Sequence, residues 1–383
     1  MRMRIGIVGA GISGLYLTSL LGAKGYEVSL YDPRTPWEKP CGGGITFRTY
    51  SAFPVLDGFR SQCLAVHHMR MVAADGEYCT VSYPDPILIA SRQELGAYLL
   101  TSLESKESVK LIRANVDRVV PQGRRWRLSA AGRRDSCDLL IGADGVNSLV
   151  RRTVAARFSK EETALAVGYW VEGAPEEPEV MIGFLSGLSG YIWVFPRKDH
   201  LSAGIAVRTG ETTGKKLFSC LDGFLKKNLP GFEKRNRTRY SALIPSLSSR
   251  GLSANRICGE NWALTGDAAG FVDPLTGEGI YYAFRSAELL FEAISCGRLM
   301  AYEEACRKDI VPELDCASSY VHRFYDPEVT ARLVTLSRDH PAVRNLVADL
   351  AAGTQGYLSL KKEVLKILPG LTRDVLSGIF KKR

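Results

Sequence analysis

Two rhythms of apolar and polar positions divide this chain. The opening residues Arg4-Ile5-Gly6-Ile7-Val8 read as a buried strand, and Gly9-Ala10-Gly11-Ile12-Ser13-Gly14 reads as a turn. Leu15 to Ala23 has helical spacing with a stop at Gly25, and Tyr26 to Tyr31 is a second apolar strand ending on Asp32. Residues 46–90 are irregular apart from short strands at Val66 to Val72 and Glu77 to Tyr83. Ser91 followed by Glu94 predicts a capping box opening a helix. Val109 to Val120 then returns to the sheet. From Ala164 to Ile244 the period shortens to two: Leu165 to Val171, Val180 to Leu185, Tyr191 to Phe195 and Leu201 to Val207 are predicted strands. A helix between Gly210 and Pro230 interrupts them, with Leu217, Phe218, Leu221 and Phe224 on one face. Tyr169, Trp170, Phe184, Tyr191, Trp193 and Phe195 are taken as inward positions of that sheet. Helical spacing resumes from Gly277 to Cys296, and residues 301–383 read as helical and polar-basic.

The first strand, turn and helix carry chemistry. Gly9 permits a tight turn, Gly11 lets backbone approach a pyrophosphate, and Gly14 lets helix pack on strand. The helix N-terminus, from Ser13 on, offers free N–H groups to phosphate, and Asp32 stands where a carboxylate accepts hydrogen bonds from a ribose. These features predict dinucleotide binding. Two further motifs follow in order: Asp138-Leu139-Leu140-Ile141-Gly142-Ala143-Asp144-Gly145, then Thr265-Gly266-Asp267-Ala268-Ala269-Gly270 with Asp273-Pro274-Leu275-Thr276-Gly277-Glu278-Gly279. Together the three motifs resemble the flavoprotein group that includes p-hydroxybenzoate hydroxylase-like monooxygenases and geranylgeranyl reductases. The resemblance implies FAD as cofactor. It implies that Asp267 holds the ribityl chain and that Gly277 and Gly279 open a helix aimed at the flavin pyrimidine, with Arg34, Asp144, Gly266 and Pro274 also at the cofactor. A helix N-terminus there suits the negative charge of reduced flavin. Arg92 resembles the arginine this family lays along FAD, and Val116 is expected to contact adenine through its backbone.

The segment Lys39-Pro40-Cys41-Gly42-Gly43-Gly44 resembles the geranylgeranyl reductase branch, as do Gly190-Tyr191-Ile192-Trp193-Val194-Phe195-Pro196 and Gly356-Tyr357-Leu358-Ser359-Leu360. The branch implies saturation of C=C bonds in an isoprenoid chain. Tyr191 and Trp193 are then the expected substrate contacts. An isolated alkene accepts hydride poorly, so proton donation must lead or accompany the transfer. Cys41 is the expected catalytic residue, as proton donor or as the element that positions the alkene; its plain alternative is a buried structural cysteine. The same scaffold also supports an oxygen-using monooxygenase or halogenase, and a non-enzymatic electron carrier is a third alternative. Halogenases carry a related string whose first Trp is replaced here by Tyr191. The single glycine fingerprint leaves two electron sources: NAD(P)H visiting transiently, or an external reductase or ferredoxin.

Composition bounds the rest. The 383 residues predict two intimate domains and an appendage: 1–45, 91–160 and 255–300 binding FAD, 46–90 and 161–254 forming a mostly antiparallel β substrate domain, and 301–383 a C-terminal helical region. The fold class is α/β with a Rossmann-type FAD-binding domain. No run of about 18 apolar residues is present, so no membrane-spanning helix is predicted. The first strand begins at Arg4, leaving no room for a signal peptide. Nine cysteines without a C-x-x-C pair suit reduced thiols in a cytoplasmic protein, and predict no metal site. The net charge of +9 is concentrated at the end: residues 361–383 hold seven basic residues and two acids, a net +5, with apolar residues at helical spacing broken by Pro369-Gly370. Such a segment is either a docked helix with a wet face or a peripheral contact with an anionic membrane surface. The expected partner is a hydrophobic small molecule or prenyl lipid; nothing suggests nucleic acid.

Overall fold

The structure is a computed structural model that describes residues 3–104, 106–174 and 177–381, with residues 370–381 as backbone. The strand Arg4–Val8 lies at the centre of a six-stranded sheet. In spatial order the strands are Cys258–Gly259, Trp262–Leu264, Leu139–Gly142, Arg4–Val8, Glu27–Tyr31 and Val109–Ile112, all parallel except the first. Strands buried on both faces read as continuous apolar runs, which is why Leu139-Leu140-Ile141 and Ile5 to Val8 lack alternation. The helices Ile12–Ala23, Arg92–Thr101 and Ile280–Ser295 pack together over one face. A three-stranded antiparallel sheet, Val116–Gln122, Arg125–Ala130 and Arg133–Cys137, covers the other. Gly6 shows how close this cover lies, because a Cβ there would sit 2.9 Å from Cys137 Sγ.

The stretch read as one return strand therefore divides. Val109–Ile112 joins the parallel sheet, whereas Val116–Gln122 starts the covering one, with a register shift between Val116 and Arg118. A continuous apolar tract cannot serve both, because the two sheets bury it against different neighbours.

The second sheet has eight strands, in the order Arg237–Pro245, Thr163–Glu172, His200–Arg208, Gly190–Pro196, Val180–Phe184, Leu64–Val72, Tyr78–Ile89 and Gly44–Ile45. Only Val180–Phe184 and Leu64–Val72 pair in parallel. Tyr78–Ile89 is longer than its predicted half. Pro84 and Pro86 fall where the register shifts between Val66 and His68, so the missing N–H groups are tolerated at an irregularity. The helix Gly214–Asn228 buries Leu217, Leu221 and Leu225 on the outer face of this sheet, with Val167, Tyr169, Ile205 and Phe232. Tyr169 therefore faces that helix rather than inward; adjacent side chains in a strand point oppositely, and Trp170 takes the inner side with Trp193 and Tyr240.

From Ala301 on, the described residues are helical, as expected. Pro327–Asp339 and Pro341–Ala352 lie on the Tyr78–Ile89 strand and bury Val334, Val347 and Ala348 against Val66, Met69 and Val81. The final helix, Tyr357–Lys381, runs through Pro369 instead of breaking there. A proline φ near the helical value costs one backbone bond and a local bend, but does not force a stop. Among the described residues no helix is long and apolar enough to cross a membrane.

Candidate functional site: a dinucleotide cradle under an aromatic wall

The first loop is built from backbone. Gly9 has φ +99°, and a Cβ there would fall 2.4 Å from the Ala143 carbonyl oxygen. A Cβ on Gly14 would fall 2.0 Å from the Gly9 oxygen, so these two glycines set the contact of helix, turn and neighbouring strand. Gly11 differs: a Cβ there meets nothing within 4 Å, so its outer side is open. It is the N-cap of Ile12–Ala23, and no side chain caps that end. Free N–H groups thus face the open side of the turn. Ser13 is buried and lies against Gly266, where a Cβ would come within 2.7 Å of its Oγ. Asp32 Oδ2 accepts from Ala10 N–H at 2.9 Å, while its Oδ1 accepts from Arg34 and Thr35 N–H. The acid thereby ties the glycine turn to the end of the second strand. The Arg34 guanidinium stacks 4.1 Å from the Trp37 ring centre.

Asp267 sits in a short 3-10 turn, Gly266–Ala269, with its Oδ2 2.5 Å from Lys39 Nζ. Burial pushes its pKa up, but the Lys39 ammonium and the Arg92 guanidinium more than offset this and hold the carboxyl below its usual range. Gly279 is beside it: a Cβ there would be 3.3 Å from Asp267 Oδ1. Gly279 is also the N-cap of Ile280–Ser295, again with no side-chain cap. Arg92 begins a helix whose predicted capping box is formed, with Ser91 Oγ accepting from Glu94 N–H and Glu94 accepting from Ser91 N–H, both at 2.9 Å. Its Nε is buried without a partner. Val116 is buried at the head of the covering sheet. Asp144 stands at the end of Leu139–Gly142, where its carboxylate accepts from Ser148 Oγ and from Leu149 and Val150 N–H. It fastens the Leu149–Val154 helix, a structural task the sequence reading had not given it.

The segment from Lys39 to Gly44 lies beside the inner face of the eight-stranded sheet. Cβ atoms on Gly42 and Gly44 would meet the Phe195 ring at 3.0 and 2.8 Å. The Cys41 carbonyl accepts from Ser202 Oγ at 2.9 Å and from Arg197 Nη2 at 3.1 Å, and its Sγ accepts from Gly43 N–H at 3.3 Å. Arg197 is 3% exposed and lies 3.5 Å from Glu38, yet its Nε and Nη1 have no partner. Burial lowers its pKa, opposed by Glu38. Trp193 packs against Gly204, where a Cβ would run into its ring, and its Nε1 is buried. Tyr191 stands 6.0 Å from Trp193 between ring centres and donates to the Thr276 carbonyl.

That last bond belongs to a clamp on the loop 273–279, which carries Pro274 and Gly277. Tyr325 donates to the Leu275 carbonyl, and Tyr357 donates to Asp273 Oδ2 at 2.8 Å. Glu278 accepts from Thr46 and Thr49 hydroxyls at 2.9 and 3.2 Å. Burial pushes the pKa of both Asp273 and Glu278 up, and Asp273 adds repulsion at Glu278. For an acid raised in the folded state, stability is fullest below the unfolded carboxyl pKa of about 4 and falls as pH rises through the folded value. Asp273→Asn removes the charge and keeps one acceptor oxygen, for the Leu275 and Thr276 N–H groups; whatever its fixed cost at the Tyr357 bond, it should therefore gain on wild type in thermal melts as pH rises from 4 to 8. A melting-temperature difference constant across that range would contradict this.

The residues present fit a flavin adenine dinucleotide. The open glycine turn with Ser13 against Gly266, the uncapped helix end at Gly279 against Asp267 and its Lys39 partner, and the unpartnered Arg92 Nε mark the path a dinucleotide would take. The fold and this path define an FAD-dependent oxidoreductase. The chain belongs to the FAD binding domain family, whose profile matches residues 2–297. It is 29% identical over 313 residues to menaquinone reductase of Mycobacterium tuberculosis, covering 75% of each chain. It is 26% identical over 327 residues to geranylgeranyl diphosphate reductase of Synechocystis, covering 77% of this chain and 75% of that one. Its fold matches a geranylgeranyl bacteriochlorophyll reductase-like protein of Thermoplasma acidophilum, with a TM-score of 0.75, 17% identity and coverage of 96% and 99%. It also matches a flavin-dependent brominase, with a TM-score of 0.74, 16% identity and coverage of 95% and 98%. At such identities the structural likeness speaks for the fold alone.

Sequence reading did not single out Lys39, Glu38, Ser202, Asp273, Tyr325 or Tyr357 as site residues. For Lys39 the signal was its place one residue before Pro40 in a strip already chosen. Tyr325 carries no local signal and Tyr357 stands only in a string that resembles the reductase branch, since their partners lie 50 and 84 residues away.

Proposed function

We propose that this chain is a reductase that saturates C=C bonds of an isoprenoid chain. The observation that carries the reading is the glycine strip around Cys41, its carbonyl held by Ser202 and Arg197 and its glycines packed on Phe195, on the side of the sheet where Trp170, Tyr191 and Trp193 cluster and Tyr191 bonds the loop 273–279. The named relatives add to it, because menaquinone and geranylgeranyl compounds share a polyprenyl chain. Bound and reduced, FAD would supply a hydride to one alkene carbon. Cys41 is the proposed proton source for the other carbon, so the alkene gains one hydride and one proton overall. Tyr191 and Trp193 hold the chain against the strip, excluding water from the reacting carbons. Arg197 and Ser202 keep the Cys41 backbone in place, so the thiol stays directed while its own bonding changes. The electrons come from NAD(P)H or a separate reductase, in keeping with the single glycine fingerprint.

The test is product mass. The FAD-loaded protein, reduced and kept free of oxygen, should convert geranylgeranyl compounds to products heavier by pairs of hydrogens. Products that form only with oxygen and gain an oxygen atom would replace this reading with a monooxygenase.

A further inference from the structure

The final helix presents an unusual outer face. Tyr357, Leu360, Glu363 and Ile367 are its less exposed positions, at spacings of three to four residues, and they turn toward the body of the protein. Leu358, Lys361, Lys362 and Leu365 follow the i, i+3, i+4, i+7 pattern of a single helix side and all are exposed. Leu358 is 62% and Leu365 56% exposed, with Val364 alongside at 38%. Among the described residues, exposed leucines are confined to this helix. The one acid among residues 357–369, Glu363, is taken up by Lys366 at 2.7 Å, which leaves Lys361 and Lys362 to set the charge of the leucine-bearing side.

We infer that this face is a docking surface for an anionic lipid bilayer. Leucines in line with lysines suit the headgroup boundary, where the apolar side chains enter the acyl region and the lysine stems reach back to phosphate. A second copy of the chain fits the face less well, because an isologous contact would bring Lys361 and Lys362 against their own equivalents. The helix begins at Tyr357, whose hydroxyl bonds Asp273 in the loop 273–279. The bilayer contact would therefore start directly beside the cofactor path. This inference stands apart from the reductase proposal, since it concerns a surface and needs no turnover.

The experiment is co-sedimentation of the full-length, FAD-loaded protein with vesicles of phosphatidylcholine, with and without phosphatidylglycerol. Binding should require phosphatidylglycerol and weaken with salt. Lys361→Glu/Lys362→Glu should lower it by about fivefold or more for each lysine removed. Leu358→Ser/Leu365→Ser should also lower it at unchanged charge. Both variants alter exposed positions, so the flavin spectrum and melting temperature should stay at wild-type values, which separates lost docking from lost folding. Equal binding to neutral vesicles, no binding at low salt, or variants that bind like wild type would each overturn the inference. A solution dimer abolished by the same substitutions would also overturn it.

Discussion

Gly11→Val protein is expected to fold and to purify colourless. The new side chain has room in the folded chain, because a Cβ at this position meets no atom within 4 Å. That open side is the path for the pyrophosphate, next to the uncapped start of Ile12–Ala23. Forcing methyl groups into a close contact costs about 1–3 kcal/mol, so FAD affinity should fall by roughly 5- to 150-fold. Gly14→Ala should behave in the opposite way. Its Cβ would lie 2.0 Å from a backbone oxygen, so helix and turn must part, and the melting temperature should drop. The ratio of flavin to protein absorbance after purification, with a thermal melt, reads both outcomes. A fully loaded, yellow Gly11→Val protein would remove the cofactor from this turn.

Cys41→Ala is expected to lose about a hundredfold or more in turnover, the usual contribution of a positioned acid. Its stability should change by only about 1 kcal/mol. The separation follows from how the strip is held. Ser202 and Arg197 bind the Cys41 carbonyl, while the thiol makes only weak contacts, accepting from Gly43 N–H at 3.3 Å and from Arg92 Nη1 at 3.9 Å. Removing sulfur therefore leaves the backbone fastened. Anaerobic product formation measured beside melting temperature gives the comparison, and unchanged turnover would return Cys41 to a packing role.

Features fixed by neighbours in the chain were legible from sequence. The capping box of Ser91 and Glu94 spans four residues, and the glycine turn depends on one positive φ and two close approaches. What sequence could not supply was the choice between two buried environments. Tyr169 and Trp170 are both aromatic and adjacent, and only the packing of Gly214–Asn228 decides which faces the helix. The same holds for the loop 273–279. Its glycines and acids were visible, but the hydroxyls of Tyr191, Tyr325 and Tyr357 that clamp it come from three separate elements. The strip containing Gly356-Tyr357 was noticed only as a resemblance. Its bond to Asp273 supplies a physical reason for a tyrosine at that place.

In the proposed reductase, electrons pass from the bound flavin to an alkene. Reduced, FAD-loaded protein held free of oxygen should regain its oxidised yellow spectrum when a geranylgeranyl compound is added, and Cys41→Ala protein should do so far more slowly. A flavin that stays reduced until air is admitted, whatever prenyl compound is present, would exclude the proposed reductase.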